Sequence, residues 1–254
     1  VLASYEDNPL FLNAYSRSIS LTSTLADLRK YIVTDIDRPD DFIFSFRRQY
    51  RHWENGWGIS LPYNTLSAIS DDQLLSVSID TEFSSSPLSQ YVLGEYKDCN
   101  NVVLVAHLDH PGQVNDGLSA CLCINEVYQA VTPFLRTINL VCLNSVEIVG
   151  TVLHLKNNAL TSKRVEFALN VNGISIDSPL VACQSTVDAP NMFDMCISLF
   201  KKLGLWKFSS LLGFREGWGN DEIAFHVPGV KIPCTSIYRS PFTSYHTSSD
   251  DLQS

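Results

Sequence analysis

The chain has 254 residues, 45% of them apolar and 18% charged, with a net charge of −9. That length suffices for one large domain, or for one domain carrying a smaller one. No stretch approaches the ~18 uninterrupted apolar residues of a membrane span, and basic runs stop at pairs such as Arg47-Arg48 and Lys201-Lys202. Neither a membrane nor a nucleic-acid partner is therefore expected.

Residues 1–88 are rich in aromatic residues and turn formers, and their apolar runs are short. The period of two in Leu75-Ser76-Val77-Ser78-Ile79 predicts a strand, and the segment as a whole reads as a small, mostly β domain. The leucine spacing over 21–30, after a run of Ser and Thr, predicts one helix within it. Ser84-Ser85-Ser86-Pro87-Leu88 reads as a linker.

From about residue 89 the pattern becomes strand, loop, helix, strand. Strands are expected at 102–106, 137–143, 165–171 and 230–238, with helices over 117–135 and 190–203. Continuous β-branched runs alternating with helices imply a three-layer α/β/α sandwich on a mixed, mostly parallel sheet over residues 89–254. Ligand sites in such sheets collect at the carboxyl ends of strands, and the polar residues cluster there.

The segment from Ala106 to Ser119 places His107, Asp109, His110 and Asp116 in one loop between a strand and a helix. A strand-end histidine offers a neutral ring nitrogen, an aspartate two residues on can take the other ring N–H, and Asp116 can supply a carboxylate ligand. These are the parts of a hydrolytic zinc site. The alternative at this point is a polar loop in which Asp116 only caps the next helix.

The ordered set His107-Leu108-Asp109-His110-Pro111, Asn115-Asp116-Gly117-Leu118-Ser119, Glu147-Ile148-Val149-Gly150, Gly219-Asn220-Asp221-Glu222, Arg239-Ser240-Pro241 and Tyr245-His246-Thr247-Ser248-Ser249-Asp250 resembles the zinc aminopeptidase superfamily. Within it, the chain is similar to bacterial aminopeptidase-like proteins with a small inserted domain. The resemblance covers nearly the whole chain. It implies that His107, Asp116 and His246 are zinc ligands, that Asp109 orients His107, and that Glu147 is either a ligand or the base acting on a zinc-held water.

Two departures bear on that assignment. Better-known members have two adjacent glutamates where this chain has Ser145-Val146-Glu147, and an aspartate ligand where it has Asn172. One zinc is therefore expected rather than two, with His110 able to fill a ligand position and Glu222 able to supply the missing base. Arg239, Tyr245 and Asp221 are the candidates for binding substrate, although the Arg239 guanidinium could equally pair with Asp221 or Asp250.

His52, His154 and His226 read as structural, as does the Gly217-Trp218-Gly219 turn. The seven cysteines are an odd number, and Cys121, Cys123, Cys142 and Cys196 lie in apolar runs, as reduced core thiols of a cytoplasmic protein would. Cys121 and Cys123 are spaced too closely for a zinc knuckle. No secretory signal is evident, and the chain runs from Val1 to Ser254 as part of a longer protein would. No serine-nucleophile elbow, phosphate loop or dinucleotide fingerprint occurs.

Two functions compete. The first is a zinc hydrolase acting on an amide of a small peptide or amino-acyl amide. The second is a peptidase homologue that has lost its base and serves as a binding or scaffold module. A homo-oligomer is compatible with the sequence, which otherwise does not address assembly.

Overall fold

The computed structural model describes residues 1–45, 53, 56–159, 165–186, 191–205 and 208–253. His52 and the neighbouring arginines Arg47, Arg48 and Arg51 lie outside them. The chain divides into two units, Val1–Ser86 with Ser244–Ser254, and Pro87–Thr243. The first break falls two residues before the expected linker end.

In the first unit, β1 (Ile19–Thr24) pairs antiparallel with β4 (Leu74–Ile79). The short β2 (Ile32–Val33) and β3 (Ile59–Ser60) pair in parallel. The helix expected over 21–30 is confined to α1 (Leu25–Leu28), capped by the Thr24 side chain and followed by a 3-10 turn. Residues 19–24 instead pair residue for residue with β4, and cross-strand pairing outweighs the leucine spacing. Leu25, Leu28, Ile32, Ile59, Leu61, Val77 and Ile79 form the core, with Leu66 from α2 (Tyr63–Ser67).

The tail from Ser244 clusters with this unit rather than with the sandwich to which the sequence reading assigned it. Phe44 donates its N–H to the His246 carbonyl at 2.8 Å. The Ser248 and Ser249 hydroxyls both reach Asp41.

The second unit is built on a seven-stranded sheet in the order β10-β9-β11-β8-β6-β7-β5. In chain order the strands are β5 (Tyr91–Leu93), β6 (Asn100–His107), β7 (Ile138–Ser145), β8 (Val165–Val171), β9 (Leu180–Cys183), β10 (Phe208–Leu212) and β11 (Cys234–Arg239). β6 runs parallel to both β7 and β8, whereas β5 and the β9–β11 pair are antiparallel. The helices are α3 (Ser119–Val131), α4 (Val149–His154), α5 (Met192–Lys202) and α6 (Glu222–Phe225). The expected α/β sandwich is thus observed, and among the described residues no helix is long and apolar enough to cross a membrane.

Alternate residues of β6 feed two cores. Val103 and Val105 pack with Leu143, Leu155, Ala168 and Phe225, while Val102, Leu104 and Ala106 pack with Ala120, Cys121 and Ile124 of α3. A strand buried on both faces must be a continuous apolar run, as this one is. β6 leads through α3 to β7, and β7 leads through α4 back across to β8. The two connections therefore leave neighbouring strand ends towards opposite faces of the sheet, which opens a crevice between those ends. His107 and Ser145, directly paired in register, stand at its mouth.

Leu143 is fully buried where the two connections diverge. Leu143→Ala should lower the free energy of unfolding by about 2–5 kcal/mol, read as a lower urea midpoint; an unchanged midpoint would contradict this account of the core.

Candidate metal centre

His107 is the last residue of β6, and the pairing with β7 continues one step further through the Leu108 N–H to the Ser145 carbonyl at 2.9 Å. The chain then turns sharply around Gln113, which is buried. Its side-chain Oε1 accepts the N–H groups of Asp109 (2.8 Å) and His110 (3.1 Å), and its side-chain NH2 donates to Asp109 Oδ1 at 3.1 Å. A π-helical turn over Val114–Leu118 follows and runs into α3, so the predicted helix at 117 starts inside this turn. π-helical turns of this kind concentrate at functional sites. A Cβ on Gly117 would lie 2.6 Å from the His107 carbonyl oxygen, so only glycine lets the turn back onto the strand end.

This folding brings three donors together. His107 Nε2 lies 3.6 Å from Asp116 Oδ1, and His110 Nε2 lies 3.3 Å from Asp116 Oδ2. Ligand atoms of His107, His110 and Asp116 all fall within 4.8 Å of one another, a spacing that fits one metal ion. His110 Nδ1 is 2.8 Å from the Pro111 carbonyl. A carbonyl only accepts, so Nδ1 is the donor there, and Nε2 is the ring nitrogen that faces the cluster.

The surroundings are strongly acidic. Burial, the largest influence on the His107 ring, works to lower its pKa, but Asp116, Asp221 and Glu147 outweigh it and lift the value to about 9. Burial, with repulsion from Asp221, Asp109 and Asp116, pushes Glu147 up to about 7, although His107 pulls the other way. Burial likewise raises Asp221 and Glu222. A buried excess of carboxylate over imidazole is the charge pattern that a divalent cation neutralises.

Glu147 accepts a hydrogen bond at 2.7 Å from the Asn220 amide, whose own carbonyl is held by the Asp221 N–H at 2.7 Å. The backbone after Glu147 is unusual. Ile148 sits at φ 57 and ψ −60, and the Val149 N–H returns to the Glu147 carbonyl at 2.5 Å. This is a γ-turn of positive φ, which for a β-branched residue costs on the order of 1–3 kcal/mol. Strain of that kind persists where the surroundings over-determine it.

Asp109, Asp221, Glu222 and Arg239 take other places than the sequence reading expected. Asp109 does not hold the His107 ring; its Oδ2 accepts the Glu147 N–H at 3.1 Å, because the Gln113 turn points the carboxylate towards β7. Asp221 is fully buried and cannot reach a substrate: its Oδ1 accepts the Ile148 N–H (2.9 Å) and the Thr151 hydroxyl (2.6 Å). Glu222 is buried and engaged by the Asn220 N–H, the Asn170 amide and the Ser236 hydroxyl, which makes it a structural acceptor rather than a free base. Arg239 spends its guanidinium on the Ile174 and Ser178 carbonyls, pinning the β8–β9 connection. His246 belongs to the first unit, where its ring stacks on Tyr245 at 3.7 Å and meets the edge of Phe44 at 5.5 Å.

The other expectations can also be placed. His154 bonds the Tyr96 hydroxyl and Gln90, and His226 packs edge-on against Phe214, both structural roles. Trp218 stacks on Tyr238 at 4.9 Å. All seven cysteines are free. Asn172 is buried with an unpartnered Oδ1, a neutral group at the position where the sequence resemblance implies a charged ligand. Gln113, Asn220 and Thr151 were not anticipated, since a lone amide or hydroxyl carries no spacing signal.

Comparison with known proteins supports the fold. A family model described as a domain of unknown function, DUF4910, matches residues 88–254, and a second, DUF2172, matches residues 1–82. A Clostridium acetobutylicum protein, provisionally named a polysaccharide biosynthesis protein with an aminopeptidase-like domain, is 25% identical over 98% of this chain and 56% of its own length. A crystal structure from the same organism, provisionally named a peptidase, superposes with a TM-score of 0.82 at 23% identity, covering 99% of this chain and 58% of that one. A zinc aminopeptidase from Bacillus subtilis shares the fold at a TM-score of 0.54 and 16% identity, covering 79% and 53% of the two chains. The chain thus spans little more than half the length of these relatives, and its fold is aminopeptidase-like. With more than half of its residues matched, the chain belongs to the family defined by the domain of unknown function DUF4910.

Proposed function

We propose that this chain carries the centre of a zinc-dependent hydrolase of the aminopeptidase kind, cleaving an amide bond of a small peptide or peptide-like metabolite. The observation that carries the reading is the convergence of His107, His110 and Asp116 within 4.8 Å, beside a half-buried glutamate whose pKa is pushed up to about 7. These three residues would hold one ion. When bound, zinc supplies Lewis acidity, bringing the pKa of water towards ~7 and polarising a carbonyl.

The chain's own groups do the rest. His110, whose Nδ1 donates to the Pro111 carbonyl, offers Nε2, and Asp116 offers its carboxylate. Glu147 is held at Oε1 by the Asn220 amide, which leaves Oε2 to take a proton from water and return it to the leaving amine. A pKa near working pH suits both halves of that transfer. No covalent intermediate is required.

Asn172 favours one ion over two, since a neutral amide is a poor replacement for a charged ligand. It also supports a second reading, a binding module derived from a peptidase. The name of the C. acetobutylicum relative makes an amide-bearing saccharide precursor a substrate class to test beside amino-acyl anilides.

Purified protein should contain about one zinc per chain, and removal by a chelator should abolish amide hydrolysis until zinc is restored. Zinc content without any hydrolysis would favour the binding module.

Glu147→Gln should keep zinc but lose about 10²–10⁴-fold in kcat; retained turnover would remove Glu147 from the chemistry.

Stability gives an independent check. Because the Glu147 pKa is raised, the folded metal-free protein binds this proton more tightly than the unfolded chain. Its ionisation therefore costs stability fully above pH about 7 and not at all below the ordinary 4.5. Metal-free Glu147→Gln should exceed wild type in urea midpoint above pH about 7, with the gain fading at acid pH; a gain independent of pH would contradict the assignment.

A further inference from the structure

The His107 ring is addressed from two sides. Its Nε2 faces Asp116, and its Nδ1 lies 4.0 Å from Asp221 Oδ2. Both Nδ1 and Oδ2 are buried, and neither has a hydrogen-bond partner. Nothing else competes for Nδ1, since Asp109 is occupied by Gln113 and by the Glu147 N–H. The other Asp221 oxygen, Oδ1, accepts the N–H of Ile148, the strained residue after Glu147, and the Thr151 hydroxyl.

From this we infer that Asp221 is a positioning residue for the metal centre, selecting through Oδ2 the His107 tautomer that ligates by Nε2 and fixing through Oδ1 the turn that carries Glu147. The inference rests on the zinc reading above and assigns the task that the sequence pattern suggested for Asp109.

The chemistry follows from donor and acceptor roles. An ionised carboxylate only accepts, so a ring nitrogen facing it is stabilised when it carries the proton. With the proton on Nδ1, the lone pair of the neutral ring lies on Nε2, towards Asp116 and His110. A small ring movement closes the 4.0 Å gap to the usual ~2.8 Å of a charge-assisted bond. The same carboxylate accepts the Ile148 N–H, and this bond opposes relaxation of the positive-φ turn. Ligand orientation and base orientation thereby share one buried group.

Asp221→Asn separates the two tasks. Two donors, the Ile148 N–H and the Thr151 hydroxyl, keep the amide oxygen at the Oδ1 position, so the NH2 group replaces Oδ2 and faces Nδ1. Two donors facing each other repel, so the ring proton is driven towards Nε2 and ligation through that atom is weakened. Zinc affinity, measured by competition with a chromophoric chelator, should fall roughly 10–100-fold. The cobalt-substituted visible spectrum should change with it, while the urea midpoint of the metal-free protein stays near wild type.

Equal zinc affinity in Asp221→Asn and wild type would overturn the positioning role and leave the zinc reading standing. Failure of wild type to bind zinc would overturn both. Should the variant not fold, the zinc-loaded wild type decides through long-range proton–nitrogen correlation of its histidines. A proton on His107 Nδ1 is expected, and ligation through Nδ1 would overturn the proposal.

Discussion

At the carboxyl ends of β6 and β7, the buried carboxylates of Asp116 and Asp221 and the half-buried one of Glu147 act together on His107, with half-buried Asp109 and buried Glu222 close behind them. Burying charge costs several kcal/mol per ion unless it is paired or coordinated, so each group here must be accounted for. Asp109, Asp221 and Glu222 are held by backbone and side-chain donors. Asp116 lies against both histidines, and Glu147 takes a single amide. His107, Asp116 and Glu147 are the groups proposed for the chemistry.

The sheet makes this crowding attainable. β6 and β7 are each buried on both faces and locked in register over eight residue pairs, so their ends are placed by the bulk of the core rather than by the loops. Loops contribute through compensated irregularities: the π-helical turn closed over Gly117, the Gln113 staple, and the γ-turn at Ile148 tied to Asp221. Each spends local stability to aim one side chain, the trade expected of functional sites.

Asn172 and Asn220 tune the centre in opposite ways. In the proposed one-ion reading, Asn172 is a neutral amide close to the Asp116 backbone, which favours a single cation there. Asn220 donates to Glu147 and receives from the Asp221 N–H, so its amide orientation is determined by its neighbours and the carboxylate it holds keeps its direction. In that reading, two neutral amides bear on the ion count and on the proposed base without adding charge.

Much was legible from residue order alone. The continuous apolar run of β6 and the strand–helix alternation determine the sandwich, because a parallel sheet must hide both faces. His107, His110 and Asp116 lie close in sequence around one strand end, so their proximity follows from local chain geometry. Other features depended on tertiary packing. The leucine-spaced segment at 21–24 became strand because a distant partner was available to pair with it. The roles of Asp109, Asp221, Glu222 and Arg239 turned on which donors the fold brought within reach, through contacts as much as 73 residues apart. Spacing along a chain can show which groups are able to ligate a metal, but which carboxylate meets a ring nitrogen and which is consumed by a backbone N–H is set only when separate strands and loops are packed together.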